Sequence, residues 1–287
     1  MSRIAYVNGR YLRHAEAGVH IEDRGYQFSD GVYEVCGVRG GQLMDEDYHL
    51  ERLERSLQEL RIAMPMNMRA LRLVLREVVR ANGIADGMVY LQVTRGVARR
   101  DHPFPNPAVR PALVITAKRL SLVKIAQSVA QGVAVVTMTD QRWARRDIKS
   151  ISLLANILAK QAAREAGAYE AWLVDQDGFV TEGSSTNAWI VDVDGRVITR
   201  PLSADILPGV TRRVLLEAAA REGIEVVERP FTVEEARNAR EAFISACTAI
   251  ITPVVKVDGQ VIGNGAPGSI TMRLRAAYDS ATQTGRV

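Results

Sequence analysis

The chain has 287 residues, 47% apolar and 24% charged, with a formal net charge of +4, which suits a globular protein of one large or two ordinary domains. The arginines form neither a tail nor a block, so nucleic acid is a poor partner. No apolar run reaches transmembrane length and MSRIAYVNGRYL lacks an apolar signal core, so no membrane partner and a cytoplasmic location are expected.

IAYVNGRYL reads as a hairpin about Asn8-Gly9, and GVYEVCGVRGGQLM as a second one turning at Gly40-Gly41. DEDYHLERLERSLQEL puts Leu50, Leu53, Leu57 and Leu60 on one helical face. NMRALRLVLREVVRANG is a second amphipathic helix, stopped near Gly83. MVYLQVTRG and ALVITAKRL are strand-like, and KRLSLVK reads as a link. GVAVVTMTD is a further strand. SISLLANILAKQAAREAG reads as a helix starting directly after Lys149, with Ser150 as its N-cap. The stretch AYEAWLVDQDGFVTEGSSTNAWIVDVDGRVIT reads as a meander with turns at Asp177-Gly178 and Asp194-Gly195. VTRRVLLEAAAREG is a helix after Pro208-Gly209. A mixed run, REAFISACTAIITPVVKVDGQVIG, leads to a C-terminal helix around SITMRLRAAYDS. The expected fold is mixed α/β (α+β) in two domains: a smaller one over 1–118, a linker at 119–124, and a larger one over 125–287 that carries Lys149. Cys36 and Cys247 make neither a disulfide framework nor a metal-type spacing, and no metal is expected.

Lys149 stands out. Only five of the 37 Lys and Arg residues are lysine, and this one precedes an apolar segment. Burial disfavours the charged amine, and a neutral amine can attack an aldehyde. Glu182, in the turn TEGSSTN, is a carboxylate able to pair with a ring nitrogen. An amine and an acidic partner of that kind are what pyridoxal phosphate chemistry needs. From the residues alone, bland readings stand beside this one. Lys149 can be a surface lysine, Glu182 a turn residue, Arg52 a solvated helix charge, and the RRDH stretch an exposed charged loop.

Several motifs in order decide between them: EDRGYQFSDGVYEV at 22–35, YHLERLERS at 48–56, VTRGVARRDHPFP at 93–105, RRDIKSISLLANILAKQ at 145–161, TEGSSTN at 181–187, ILPGVTR at 206–212 and ITPVV at 251–255. With these the chain resembles the fold-type IV pyridoxal phosphate enzymes over nearly its whole length, and within them the D-amino acid aminotransferases. The resemblance implies a homodimer with pyridoxal 5'-phosphate between the two domains. It implies transamination of D-amino acids, such as D-alanine, with a 2-oxo acid acceptor such as 2-oxoglutarate.

The resemblance also assigns residues. Lys149 is the Schiff-base lysine and proton shuttle, and Glu182 the partner of the pyridine nitrogen, with Ser184, Ser185, Thr186 and Asn187 beside it. Arg52, Val210 and Thr211 hold the phosphate, the last two by opening a helix. Leu207 lies under the ring. The family usually has a threonine where this chain has Cys247, and a thiol is a weaker donor than a hydroxyl, so either Thr248 takes over or the phosphate is held more loosely. Tyr33, Arg100 and His102 trap the substrate α-carboxylate, the last two from the neighbouring subunit, with Arg99 a competing assignment. Trp143 is either a site wall or core packing. His49 is either a support for the cofactor or a helix-surface histidine. A branched-chain L-amino acid aminotransferase and aminodeoxychorismate lyase share the fold and are the rival activities; a non-enzymatic relative would bind no cofactor.

Overall fold

The structure is a computed structural model and describes residues 3–283 of the chain, with side chains through 280. By backbone contacts it divides into two units. The first runs to Ser121 and includes Ile148–Ser152; the second takes Leu122–Asp147 and the chain from Leu153 on.

The first unit holds strands β1 (Ile4–Val7) and β2 (Arg10–Arg13), helix α1 (Arg24–Phe28), β3 (Gly31–Arg39), β4 (Gln42–Leu43), helices α2 (Glu46–Glu59) and α3 (Met68–Ala81), β5 (Gly87–Thr94) and β6 (Ala112–Arg119). The strands form a six-stranded antiparallel sheet in the order β2-β1-β6-β5-β3-β4. Both expected hairpins form. Asn8 and Gly9 both have positive φ, as do Gly40 and Gly41, and this is the backbone a two-residue hairpin turn demands. The leucines of α2 and α3 (Leu50, Leu53, Leu57, Leu71, Leu75) are buried against Val32, Cys36, Val89, Leu91 and Ile115 of the sheet. Leu60 completes the stripe but is only partly buried, because the helix ends before it.

The second unit begins with α4 (Leu122–Gln131), so the expected linker is in part the first turn of a helix. Then come β7 (Val133–Thr139), α5 (Leu154–Glu165), β8 (Glu170–Val174), β9 (Val180–Gly183), β10 (Asn187–Val191), β11 (Val197–Thr199), α6 (Val210–Arg221), β12 (Val226–Glu228), α7 (Val233–Arg237), β13 (Glu241–Ala246), β14 (Ile250–Val257), β15 (Gln260–Val261) and α8 (Ser269–Gln283). The sheet order is β12-β11-β10-β13-β14-β7-β8-β9, with β15 beside β14. Pairs β7/β8, β7/β14 and β11/β12 are parallel. The meander is interrupted: β9 pairs with β8, whereas β10 turns away to pair with β11 and β13. TEGSSTN lies at that divergence.

Two expectations change around Lys149. The helix starts at Leu154, so Ser150 is not its N-cap. Ser150 instead bridges to Val32 of β3, with Tyr33 N donating to Lys149 O (3.0 Å) and Ile151 N to Gly31 O (3.1 Å). This pairing is also why Lys149 groups with the first unit and not with 125–287. Backbone hydrogen-bonding groups in such a stretch seek partners, and β3 supplies them.

Candidate active site

Tethered to the start of β3, Lys149 has a fixed backbone. Its N–H also donates to Ser56 Oγ on α2 (3.4 Å). The Nζ atom lies 4.3 Å from the Tyr33 ring centroid. Tyr33 is itself held against Tyr90, at 5.6 Å between centroids. The Tyr90 hydroxyl is pushed up to about 12 by burial and by Tyr33 beside it, so it stays protonated and donates to Gln92 (2.7 Å). The amine and the phenol assigned to one site are thus neighbours.

Arg52 is buried, not a solvated helix charge, and His49 is buried too, not a helix-surface residue. Both turn toward Glu34 on β3. Arg52 donates through Nε (2.7 Å) and Nη2 (2.9 Å), and His49 Nδ1 lies 2.8 Å from the same carboxylate. Burial would raise the pKa of Glu34, but the Arg52 charge overrides it and holds the carboxyl well below the usual range. Burial lowers the His49 pKa, only partly offset by Glu34, so the imidazole is neutral and donates from Nδ1.

Arg100 and His102 come together on the ring of Phe28. The Arg100 guanidinium carbon lies 4.6 Å from the ring centroid and the His102 ring 5.6 Å. Both are exposed, as is Arg99.

In the second unit, Glu182 of β9 is buried and fully engaged. It accepts from the Arg142 guanidinium, from Asn187 Nδ2 (3.0 Å) and from Leu207 N (3.1 Å). Arg142 also grips Asp140 through Nε (3.0 Å) and Nη2 (2.8 Å). Burial opposes the Arg142 charge, yet Asp140 and Glu182 raise its pKa above the ordinary value. Ser184, Ser185 and Thr186 all direct hydroxyls to the buried carboxylate of Glu170, Ser185 at 2.9 Å. Their geometry is more than turn chemistry. Leu207 meets Glu182 through its backbone, and its carbonyl accepts from Asn187 Nδ2 (3.1 Å).

Val210 and Thr211 open α6 as expected. The N-cap is Gly209, which offers no side chain to the first amides. A Cβ there would lie 2.0 Å from Asn187 Oδ1, so only glycine allows the approach. Cys247 and Thr248 sit side by side in the turn from β13 to β14, both half-buried. The turn closes at Ile250, whose φ of 61° is uncommon for a β-branched residue. Trp143 is 42% exposed, so within this chain it is not core packing.

The first unit carries an amine, Lys149, and the second carries an anionic acceptor and an uncapped helix N-terminus, the chemical types that a phosphorylated pyridine aldehyde calls for. Among the described residues, no cluster of His, Cys, Asp and Glu could hold a metal ion, and no helix is long and apolar enough to cross a membrane. Sequence reasoning did not single out Arg142, Asp140, Glu34 or Glu170.

The amino-transferase class IV family profile matches residues 31–257. The chain belongs to this family. It is 41% identical over 274 residues to the D-alanine aminotransferase of Bacillus licheniformis, covering 96% of this chain and 95% of that protein. It is 39% identical to the D-alanine aminotransferase of Staphylococcus haemolyticus, covering 96% of each. Among solved structures, the Escherichia coli branched-chain amino acid aminotransferase superposes with a TM-score of 0.91 at 26% identity, covering 98% of this chain and 95% of that one. The T.th. branched-chain amino acid aminotransferase with pyridoxamine 5'-phosphate gives 0.89 at 25% identity, covering 100% of this chain and 96% of that one. The two-sheet architecture is that of the fold-type IV enzymes, and this class IV aminotransferase uses pyridoxal phosphate as its cofactor.

Proposed function

We propose that this enzyme moves the amino group of a D-amino acid, D-alanine or one like it, to a 2-oxo acid such as 2-oxoglutarate. The observation that carries this reading is near full-length similarity to D-alanine aminotransferases at about 40% identity, against 26% for a branched-chain structure. The pairing of Arg100 with His102 on one aromatic ring supports it. The enzyme works as a homodimer in the cytoplasm, with D-amino acids and 2-oxo acids as its small-molecule partners.

The bound cofactor supplies an electrophilic carbon and a ring that accepts electron density. Lys149 provides the attacking amine and afterwards carries the substrate α-proton, work that depends on its fixed backbone. Tyr33 sits beside that amine. Arg100 and His102 bind the substrate carboxylate with guanidinium and imidazole N–H donors, and so decide which face of Cα meets Lys149. Glu182 holds the proton of the ring nitrogen. Arg52 and the amides of Val210 and Thr211 bind the phosphate, with Thr248, or the weaker thiol of Cys247, as a further donor. Ser184 and Ser185 line the cofactor, and Leu207 packs against its ring.

A visible spectrum of the holoenzyme tests this. D-alanine, and not L-leucine, is expected to bleach the cofactor band and yield pyruvate. Bleaching by L-leucine alone would refute the proposal and favour the branched-chain reading. Pyruvate formed with no acceptor requirement over many turnovers would favour a lyase.

A further inference from the structure

We propose that Arg24 and Phe28, both on α1, are positioning residues for recognition of the substrate carboxylate. Arg24 fixes the backbone that bears Arg100 and His102, and Phe28 fixes their side chains. This rests on the reading above that Arg100 and His102 bind that carboxylate.

Arg24 is 3% exposed, a depth that an arginine reaches only when it is paired. Its Nη1 donates to the carbonyl of Asp101 (2.6 Å) and its Nη2 to the carbonyl of His102 (3.1 Å). The planar guanidinium fork therefore spans two consecutive peptide units of the recognition loop, a geometry that lysine cannot copy. The third side, Nε, is locked by Asp30 Oδ2 (2.8 Å). Asp30 also receives Arg95 Nε (2.7 Å) and Nη2 (2.9 Å). Burial would raise the pKa of Asp30, but the two arginines lower it, so the carboxylate stays charged. Arg95 in turn donates to the carbonyls of Leu60 (2.8 Å) and Arg61 (3.0 Å) and lies 3.6 Å from the Phe104 ring centroid. The loop is gripped at 101–102 and again at 104.

Phe28 receives three groups. Arg24 lies 4.9 Å from its ring centroid, Arg100 4.6 Å, and the His102 ring 5.6 Å. A guanidinium stacked on an aromatic face keeps its N–H edge outward for a carboxylate. Among the described residues, no carboxylate lies within ion-pair distance of the Arg100 guanidinium or the His102 ring, so both remain available to a ligand. The mount itself is rigid. Asp23 caps α1 by accepting from Gly25 N (2.8 Å) and ties it to β5 by accepting from Thr94 Oγ1 (2.9 Å). A Cβ at Gly25 would lie 2.2 Å from Thr94 Cγ2, so α1 lies directly against β5.

Steady-state kinetics of the holoenzyme with D-alanine and 2-oxoglutarate test the proposal in three variants: Arg24→Lys, Phe28→Leu and Arg100→Ala. Removing a charge-assisted or stacking anchor should raise KM for both carboxylate substrates about tenfold, with kcat within about threefold. The visible cofactor band of the resting enzyme should not move. A structural defect alone would instead lower the active fraction and leave KM unchanged. Phe28→Leu introduces no buried charge, so it keeps the test usable if Arg24→Lys folds poorly. Unchanged KM in Phe28→Leu and folded Arg24→Lys, with KM raised in Arg100→Ala, overturns the positioning role alone. Unchanged KM in Arg100→Ala overturns the carboxylate reading, and the positioning role with it.

Discussion

Two buried glutamates, Glu34 and Glu182, are each gripped by an arginine, but the two grips differ. Two nitrogens of the Arg52 guanidinium close on the Glu34 carboxylate, and a neutral histidine adds a third donor. Glu182 shares Arg142 with Asp140, which takes two of that guanidinium's nitrogens. An amide side chain and a backbone N–H are among its other contacts. Two carboxylates therefore share the Arg142 guanidinium. Asp140 is partly served by Arg146, at 3.4 Å, but Arg146 also serves Asp205. The first carboxylate orients an arginine; the second, in the role proposed for it, faces a ring nitrogen.

Substitutions should separate the two roles. Glu34→Gln strands the Arg52 charge in the interior and should cost about 3–5 kcal/mol of stability. Denaturant unfolding would measure it; a loss under about 1 kcal/mol would mean that Arg52 finds another anion. Glu182→Gln should leave the fold intact and lower kcat roughly ten- to a hundredfold, the worth of one charge-assisted hydrogen bond. If its main effect were on unfolding instead, the contrast between the two residues would collapse.

Acid should act first through the Glu34 cluster. Its folded-state pKa lies below the value of about 4.3 for an unfolded glutamate. Its contribution is therefore complete above that value and drains away as pH falls through the folded pKa. His49 pulls in the same direction from a higher pH. Its folded pKa is lowered, mainly by burial, so stability is lost as pH drops below about 6.5, where the unfolded imidazole takes up a proton. Melting temperature measured against pH should fall in both windows, and His49→Gln should flatten the upper one. The smallest effect is expected for Asp140→Asn, which leaves Glu182 as the carboxylate on Arg142. It should lower kcat about three- to fivefold, an ion-pair effect near 1 kcal/mol. A rise in kcat would show that Asp140 competes with the ring nitrogen rather than supporting it.

The hairpins, the two leucine-faced helices and the strand-like runs were legible because turn chemistry and periodicity are local. The expectations for Lys149, Glu182 and the Arg100–His102 pair come from long ordered motifs, and the structure brings Arg100 and His102 onto one ring. Arg52 and His49 looked like solvated helix residues because their partner comes from another element, 18 and 15 residues away. One signal was available. The two-residue period of VYEVCG puts Glu34 on the face of Val32 and Cys36, and a carboxylate among apolar neighbours needs a counter-ion. The start of α5 was misjudged because Ser150 spends its backbone on β3, a pairing no local pattern announces. The TEGSSTN hydroxyls were read without Glu170, which stands fourteen residues before Ser184 on a different strand.

Gly209 gives the second unit a fixed gauge. Its missing side chain lets the Asn187 oxygen sit where a methyl group would otherwise be. The other end of that amide steadies Glu182. The start of α6 and the carboxylate of β9 are therefore spaced by a single amide, with no slack to absorb a larger residue. Anyone redesigning the anion-binding end of this helix would retune the far carboxylate as well. A library randomised at position 209 should return glycine.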